Sequence, residues 1–190
     1  VMDSTNVYGV VVEQPPLLEP KYYIDTNCLI TPNKDYYNPA FSMSETFWKT
    51  LKELIESSTV GIINQVYDEA INTHSAELHN WLESIQNCVI HPTQRPAIIN
   101  NYRKVLSFIR SSESGYQNSA WHDWVRTDRD IADPWLIASA MTSHAELITF
   151  EQKQNEQDQP WKHLKIPTVA QHYGIHCVTL FEFMRKTQQF

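Results

Sequence analysis

Apolar positions recur along this chain in short blocks with two different periods, and blocks of the two kinds alternate. Tyr22-Tyr23-Ile24 is a β-rich run that stops at Asp25-Thr26-Asn27, residues favoured in turns and caps, which predicts a strand ending in polar groups. A loop holding Pro32 and Pro39 follows. Ser44, Phe47, Trp48, Leu51, Leu54 and Ile55 then predict an amphipathic helix capped by Ser44. Residues 60–63 read as a buried strand. Val66, Ala70 and Thr73 mark one side of a short helix, and Leu78, Trp81, Leu82 and Ile85 carry a helical pattern to Gln86.

Residues 88–90 read as another short strand, set apart by Pro92 and Pro96 from a helix over 97–110. Trp121, Trp124 and Val125 suggest a further helical segment. Asp133-Pro134 opens a helix that runs through Met141, with Asp133 placed as an N-cap before a proline. A strand over 147–149, a short helix over 169–173 stopped by Gly174, a strand over 176–178 and a helix over 180–185 close the chain. This alternation predicts an α/β fold: a three-layer α/β/α sandwich around a mostly parallel sheet.

The 190 residues suit one domain, read as 21–190 behind an N-terminal arm or extension over 1–20, where Gln14-Pro15-Pro16 and Glu19-Pro20 are turn formers. Hydrophobic residues are 42% and charged residues 19%, ordinary globular usage that excludes a wholly disordered chain. Six Trp, nine Tyr and seven Phe fill a core, although surface aromatics can also stack on unpaired bases. Cys28, Cys88 and Cys177 are far apart beside apolar residues, which predicts reduced, buried thiols and a cytoplasmic protein. No apolar run approaches the roughly 18 residues of a spanning helix, so no membrane role is expected. The net charge of -7 excludes nucleic-acid binding by global positive charge and requires any such contact to be local.

Candidate chemistry collects in acids at strand ends and helix starts. Asp25 follows the first strand, Glu69 lies on the helix after the second, Asp133 opens a helix, and Glu151 follows the strand over 147–149. Together they would make an oxygen-rich pocket for Mg²⁺ or Mn²⁺. Each also has a plain structural reading: a turn residue at Asp25, a solvated charge at Glu69 with Asp68 competing for its role, a helix cap at Asp133, a first-turn acid at Glu151. Gly174 separates His172 from His176, which argues against a zinc pair, and four glycines leave no room for a phosphate-cradling loop.

The motifs Tyr23-Ile24-Asp25-Thr26-Asn27, Val66-x-x-Glu69, Ala132-Asp133-Pro134-Trp135-Leu136-Ile137-Ala138 and Ile148-Thr149-x-Glu151 resemble, in order and spacing, those of the PIN-domain superfamily. The endings Gly174-Ile175-x-Cys177 and Leu180-Phe181-Glu182-Phe183 look like a PIN-like branch known mainly as an uncharacterised bacterial family, with VapC-like toxin ribonucleases as the nearest characterised relatives. The resemblance implies a metal-dependent endoribonuclease with Asp25, Glu69 and Asp133 as ligands of Mg²⁺ or Mn²⁺, and Thr26 and Asn27 in support. Glu151 stands where the family pattern has Asp; its extra methylene either carries it to a metal-bound water or takes it out of the site. Asp130 is then a substitute, three residues before Asp133. The resemblance further implies an RNA substrate, a protein antitoxin and a homodimer. Arg103, Lys104, Arg110, Arg126 and Arg129 are candidate phosphate contacts.

Two other readings compete. An aspartate-based phosphatase needs a second Asp two residues after the first, where this chain has Asn27. A catalytically inactive PIN-like module that binds RNA or protein would keep the fold without the chemistry.

Overall fold

The computed structural model describes residues 19–190; the arm predicted over 1–20 therefore falls almost entirely outside the described residues. The chain is an α/β fold in which helices cover a sheet of four parallel strands in a three-layer arrangement. Strand β1 (Tyr22–Ile24) leads into helix α1 (Asn27–Thr31), a π-turn at Pro32–Tyr36 and helix α2 (Ser44–Glu56). Strand β2 (Val60–Gly61) is followed by α3 (Asn64–Ile71), α4 (Ala76–Glu83), α5 (Pro96–Ile109) and the short α6 (Trp121–Trp124). Helix α7 (Ala132–Ser143), strand β3 (Glu146–Ile148), α8 (Ile166–His172), β4 (Cys177–Val178) and α9 (Leu180–Thr187) complete it.

The strand order is β2-β1-β3-β4 with every pairing parallel. Tyr23 and Ile24 of β1 are fully buried, as a strand covered on both faces requires. Gly61 lets β2 come up against the Tyr23 ring: a Cβ there would lie 2.7 Å from a ring carbon. Helix α7 is apolar almost all round, with Ala132, Leu136, Ile137, Ala138 and Ala140 buried, so it forms an interior layer instead of a surface one. It packs on β1, β3 and α5, where Tyr102 stacks on Trp135 with centroids 3.8 Å apart.

Several local expectations shift. The loop after β1 is helical, because Thr26 enters the helical region at once (φ -54°, ψ -39°) and Pro32 is absorbed by a π-turn. Ser44 does not cap α2: Met43 holds that position, and the Ser44 hydroxyl is buried without a partner. The strand expected over 88–90 reduces to one parallel bridge between Ile63 and Ile90 beside a 3-10 turn at Gln86–Cys88. Of the thiols, all free, only Cys28 is buried; Cys88 and Cys177 are partly exposed.

Candidate functional site

Asp25 stands where β1 runs out, and its amide donates to the Ile148 carbonyl of β3 at 2.9 Å, continuing the ladder past the strand. The chain pairs β1 first with β2 on one side and later with β3 on the other. A crevice opens outside the carboxyl ends of parallel strands at such a switch. Asp25 is 6% exposed. Its Oδ2 accepts from Thr149 Oγ1 at 2.7 Å and from Asn27 Nδ2, while Asn27 Oδ1 accepts the Phe150 amide at 3.1 Å. Asn27 thus ties the end of β1 to the residue leaving β3.

Glu69 reaches the same place from α3. Its Oε2 accepts from Thr26 Oγ1 at 2.7 Å, and its Oε1 accepts the amide of Ala132, the first residue of α7, at 3.2 Å. The N-cap of α7 is Ile131, which has no side chain to offer that amide, so Glu69 supplies the missing acceptor from another helix. Asp68 is exposed and pairs with Asn64. Both acids line the cleft beside the site, and Glu69 is the one hydrogen-bonded to Thr26 and to the start of α7.

Asp133 is not the N-cap expected of it. Ala132 is already helical, and Asp133 lies in the first turn with Pro134 behind it. Burial pushes its carboxyl well above the ordinary range, and the charges of Asp25, Glu151 and Glu69 push it further, against a lowering contribution from the Trp124 side chain. Asp25 is pushed up to about 7, first by burial; Thr149 and the Thr26 backbone pull it down, and Glu151 and Glu69 push it up. Asp25, Asp133, Glu69 and Glu151 are therefore close enough to act on one another through a poorly hydrated interior.

Glu151 and Asp130 are differently placed. Glu151 Oε1 takes the Lys165 ammonium at 2.7 Å and Oε2 the Ile166 amide at 2.8 Å, so both oxygens are used at the start of α8. Asp130 precedes α7 and cannot share a helical face with Asp133. Its oxygens accept Gln65 Nε2 and the Trp135 indole, each at 2.9 Å. A cleft of about 610 Å³ opens beside the acids, with Thr26, Gln65, Glu69, Arg129, Asp130 and Asp133 in its walls. Of the proposed phosphate contacts only Arg129 lines it; Arg110 instead stacks over Trp121 at 4.7 Å.

Three residues of the site carried no role in the sequence reading. Thr149 lay inside a quoted motif, and its place at a strand end beside Asp25 was the available signal. Lys165 lies 14 residues beyond Glu151 in an irregular stretch, with nothing local to mark it. Gln65 is 2% exposed, holds Asp130 through Nε2 and keeps its Oε1 buried without a partner.

Among the described residues no three His, Cys, Asp or Glu side chains stand together at metal-ligand distance. Asp25, Glu69 and Glu151 spend oxygens on neighbouring donors instead. The donor set of Asp25, Glu69 and Asp133 still fits a hard divalent cation by chemistry: all oxygen, with Asp25 and Asp133 buried and repelled by the neighbouring acids. Glu151 fits less well, since coordination would cost it Lys165 or Ile166. Cys28, whose thiol donates to Asn27 Oδ1 at 3.2 Å, is held protonated by burial and does not extend the set.

A family model described as "Domain of unknown function (DUF4411)" matches residues 22–190. The chain belongs to that family. Its match begins at the first residue of β1 and takes in every element around the acids, so the DUF4411 unit and the α/β fold coincide. No curated protein matches the chain.

Proposed function

We propose that this chain is a metal-dependent endoribonuclease of the PIN-like type. The observation that carries the reading is the convergence of Asp25, Glu69 and Asp133, from the end of β1, from α3 and from the first turn of α7, with Asp25 and Asp133 held toward their protonated forms first by burial and then by the charges of neighbouring acids. Like charges are gathered in a dry site at a cost in stability, and a counter-charge relieves that cost.

Asp25, Glu69 and Asp133 would hold Mg²⁺ or Mn²⁺, which supplies Lewis acidity toward a phosphate oxygen and makes a bound water more acidic. The chain's own groups set up the rest. Thr149 Oγ1 and Asn27 Nδ2 fix the Asp25 carboxylate through Oδ2, and Thr26 Oγ1 fixes Glu69. Lys165 Nζ, whose charge interacts with Asp25 and Asp133 as well as Glu151, and Arg129 in the cleft wall are the cations that meet phosphate. Glu151 holds Lys165 in position.

The test is cleavage of a mixed RNA pool with Mg²⁺ or Mn²⁺ by wild type and Asp25→Asn. Loss of cleavage in the variant supports the proposal, and wild-type cleavage by the variant overturns it. A protein antitoxin, a homodimer and a cytoplasmic location belong to the same proposal. No helix among the described residues is long and apolar enough to cross a membrane.

A second reading, an inactive PIN-like module, is favoured by Glu151, whose oxygens are both engaged. Calorimetric titration with Mn²⁺ separates the two. Binding that disappears in a Glu69→Gln, Asp133→Asn double variant supports the nuclease, and absence of binding to wild type supports the module.

A further inference from the structure

Two side-chain amides in the wall of the cleft beside the acids each leave a carbonyl oxygen without a donor. Asn64 and Gln65 open α3, and both line the cleft. Gln65 donates from Nε2 to Asp130 Oδ2 at 2.9 Å, and Asn64 donates from Nδ2 to Asp68 Oδ2 at 3.3 Å. An ionised carboxylate only accepts, so these contacts fix which way each amide faces: turning either one over would set oxygen against oxygen. What remains is Gln65 Oε1 and Asn64 Oδ1, both buried and both without a partner among the described residues. Gln65 is the more firmly held, because Asp130 is itself anchored through Oδ1 by the Trp135 indole at 2.9 Å. It also stands four residues before Glu69, one turn along the same face of α3.

A buried acceptor left unsatisfied costs free energy that an apolar side chain at the same place would not. The cost is recovered when something brings a donor into the cleft. A phosphate diester has none to give, and a bare cation has none either. Asp68 and Asp130 are acceptors as well, so the wall formed by residues 64, 65, 68 and 130 calls for donors, while Arg129 in the same cleft suits phosphate. On a nucleotide the donors are base N–H groups and the ribose 2′-hydroxyl. A site that accepts from such a group rejects the analogue lacking it, because the buried acceptor is then unpaired again.

We infer that Gln65, with Asn64 beside it, is a specificity-determining residue of the cleft, whose carbonyl accepts a hydrogen bond from a donor on the bound nucleotide, a base amino group or the ribose 2′-hydroxyl. The inference rests on the ribonuclease reading for its nucleotide ligand, yet its test does not depend on cleavage. Three labelled strands of one sequence are bound in the presence of Ca²⁺ and followed by fluorescence anisotropy: an RNA of A, G and C, the same RNA with every exocyclic amino group removed from its bases, and the 2′-deoxy strand. Wild type is compared with Gln65→Met, which keeps the length and removes the carbonyl, and with Asn64→Ala. Circular dichroism checks the fold, and calorimetry measures Ca²⁺ binding alone.

The expected result is that wild type binds the parent RNA about tenfold tighter than one of the two altered strands, and that Gln65→Met binds those two strands equally. The strand that loses affinity names the donor: the amino-free RNA a base, the 2′-deoxy strand the ribose. Equal binding of all three strands by wild type overturns the inference whether or not the variants fold, as does a wild type that binds none of them. A Gln65→Met protein weakened by one common factor on every strand assigns Gln65 to holding Asp130 and also overturns it, as does a loss confined to Ca²⁺ binding, which assigns Oε1 to a metal-bound water. Metal-dependent cleavage by wild type and not by Asp25→Asn would leave the ribonuclease reading standing in each of these cases.

Discussion

Thr149 Oγ1 donates to Asp25 Oδ2 at 2.7 Å across 124 residues of sequence, joining the ends of two adjacent parallel strands in a buried hydrogen bond. This bond pulls the Asp25 carboxyl down against the burial that pushes it up. Thr149→Val keeps the shape and removes the donor, so the Asp25 carboxyl should move higher and the acid limb of the cleavage pH profile should shift toward higher pH. Thr149→Ser should restore the wild-type profile. The buried bond and the Glu151 amide that Thr149 also accepts make a stability loss of about 1–3 kcal/mol the expected cost of the Val variant, read by urea denaturation.

The pH dependence of stability follows from the direction of the Asp25 shift. Its folded carboxyl lies at about 7 against an ordinary 3.8, so between those values the folded chain binds more protons than the unfolded one. The contribution is fully present below about pH 4 and is lost as pH rises through about 7. Metal-free wild type should therefore lose stability relative to Asp25→Asn over that window. Urea midpoints of the two proteins at a series of pH values read the difference directly, and parallel curves would contradict the shift.

Glu69 has two separable jobs. Its Oε1 accepts the Ala132 amide at the start of α7, and its charge belongs to the acid cluster. Glu69→Gln keeps an oxygen for the amide and removes the charge. Its thermal midpoint should stay near or above that of metal-free wild type while Mn²⁺ affinity falls at least tenfold by calorimetry. Glu69→Ala removes both and should cost about 0.5–2 kcal/mol, as loss of an N-cap does.

How much of this was readable from the sequence depends on whether the cause was local. The run Tyr22–Ile24 and the buried repeat of α2 announce themselves, because burial imposes a period on neighbours in sequence. The cap of α7 did not, because its acceptor is Glu69, 63 residues away, and Asp133 was the nearest plausible substitute. Pro32 suggested a loop, but a π-turn accommodates it after five helical residues. The motifs single out Asp25, Glu69 and Asp133, and the fold brings them near enough for their charges to act on one another. That Glu151 is occupied was not legible, since Lys165 meets it only once α8 has folded back.

That Lys165 pair yields the last prediction. Lys165 Nζ holds Glu151 Oε1 at 2.7 Å, and its charge also interacts with Asp133 and Asp25. Lys165→Met removes a positive charge acting on this group and frees Glu151 Oε1, leaving a more negative site with an additional oxygen donor. Mn²⁺ should bind several-fold tighter to the variant by calorimetry, because the competing cation is gone. RNA cleavage should nevertheless slow, because the ammonium that would meet the phosphate is lost with it. Tighter metal binding with slower turnover separates this role from a structural one: a lysine that only secured the start of α8 would lower stability and leave metal affinity unchanged.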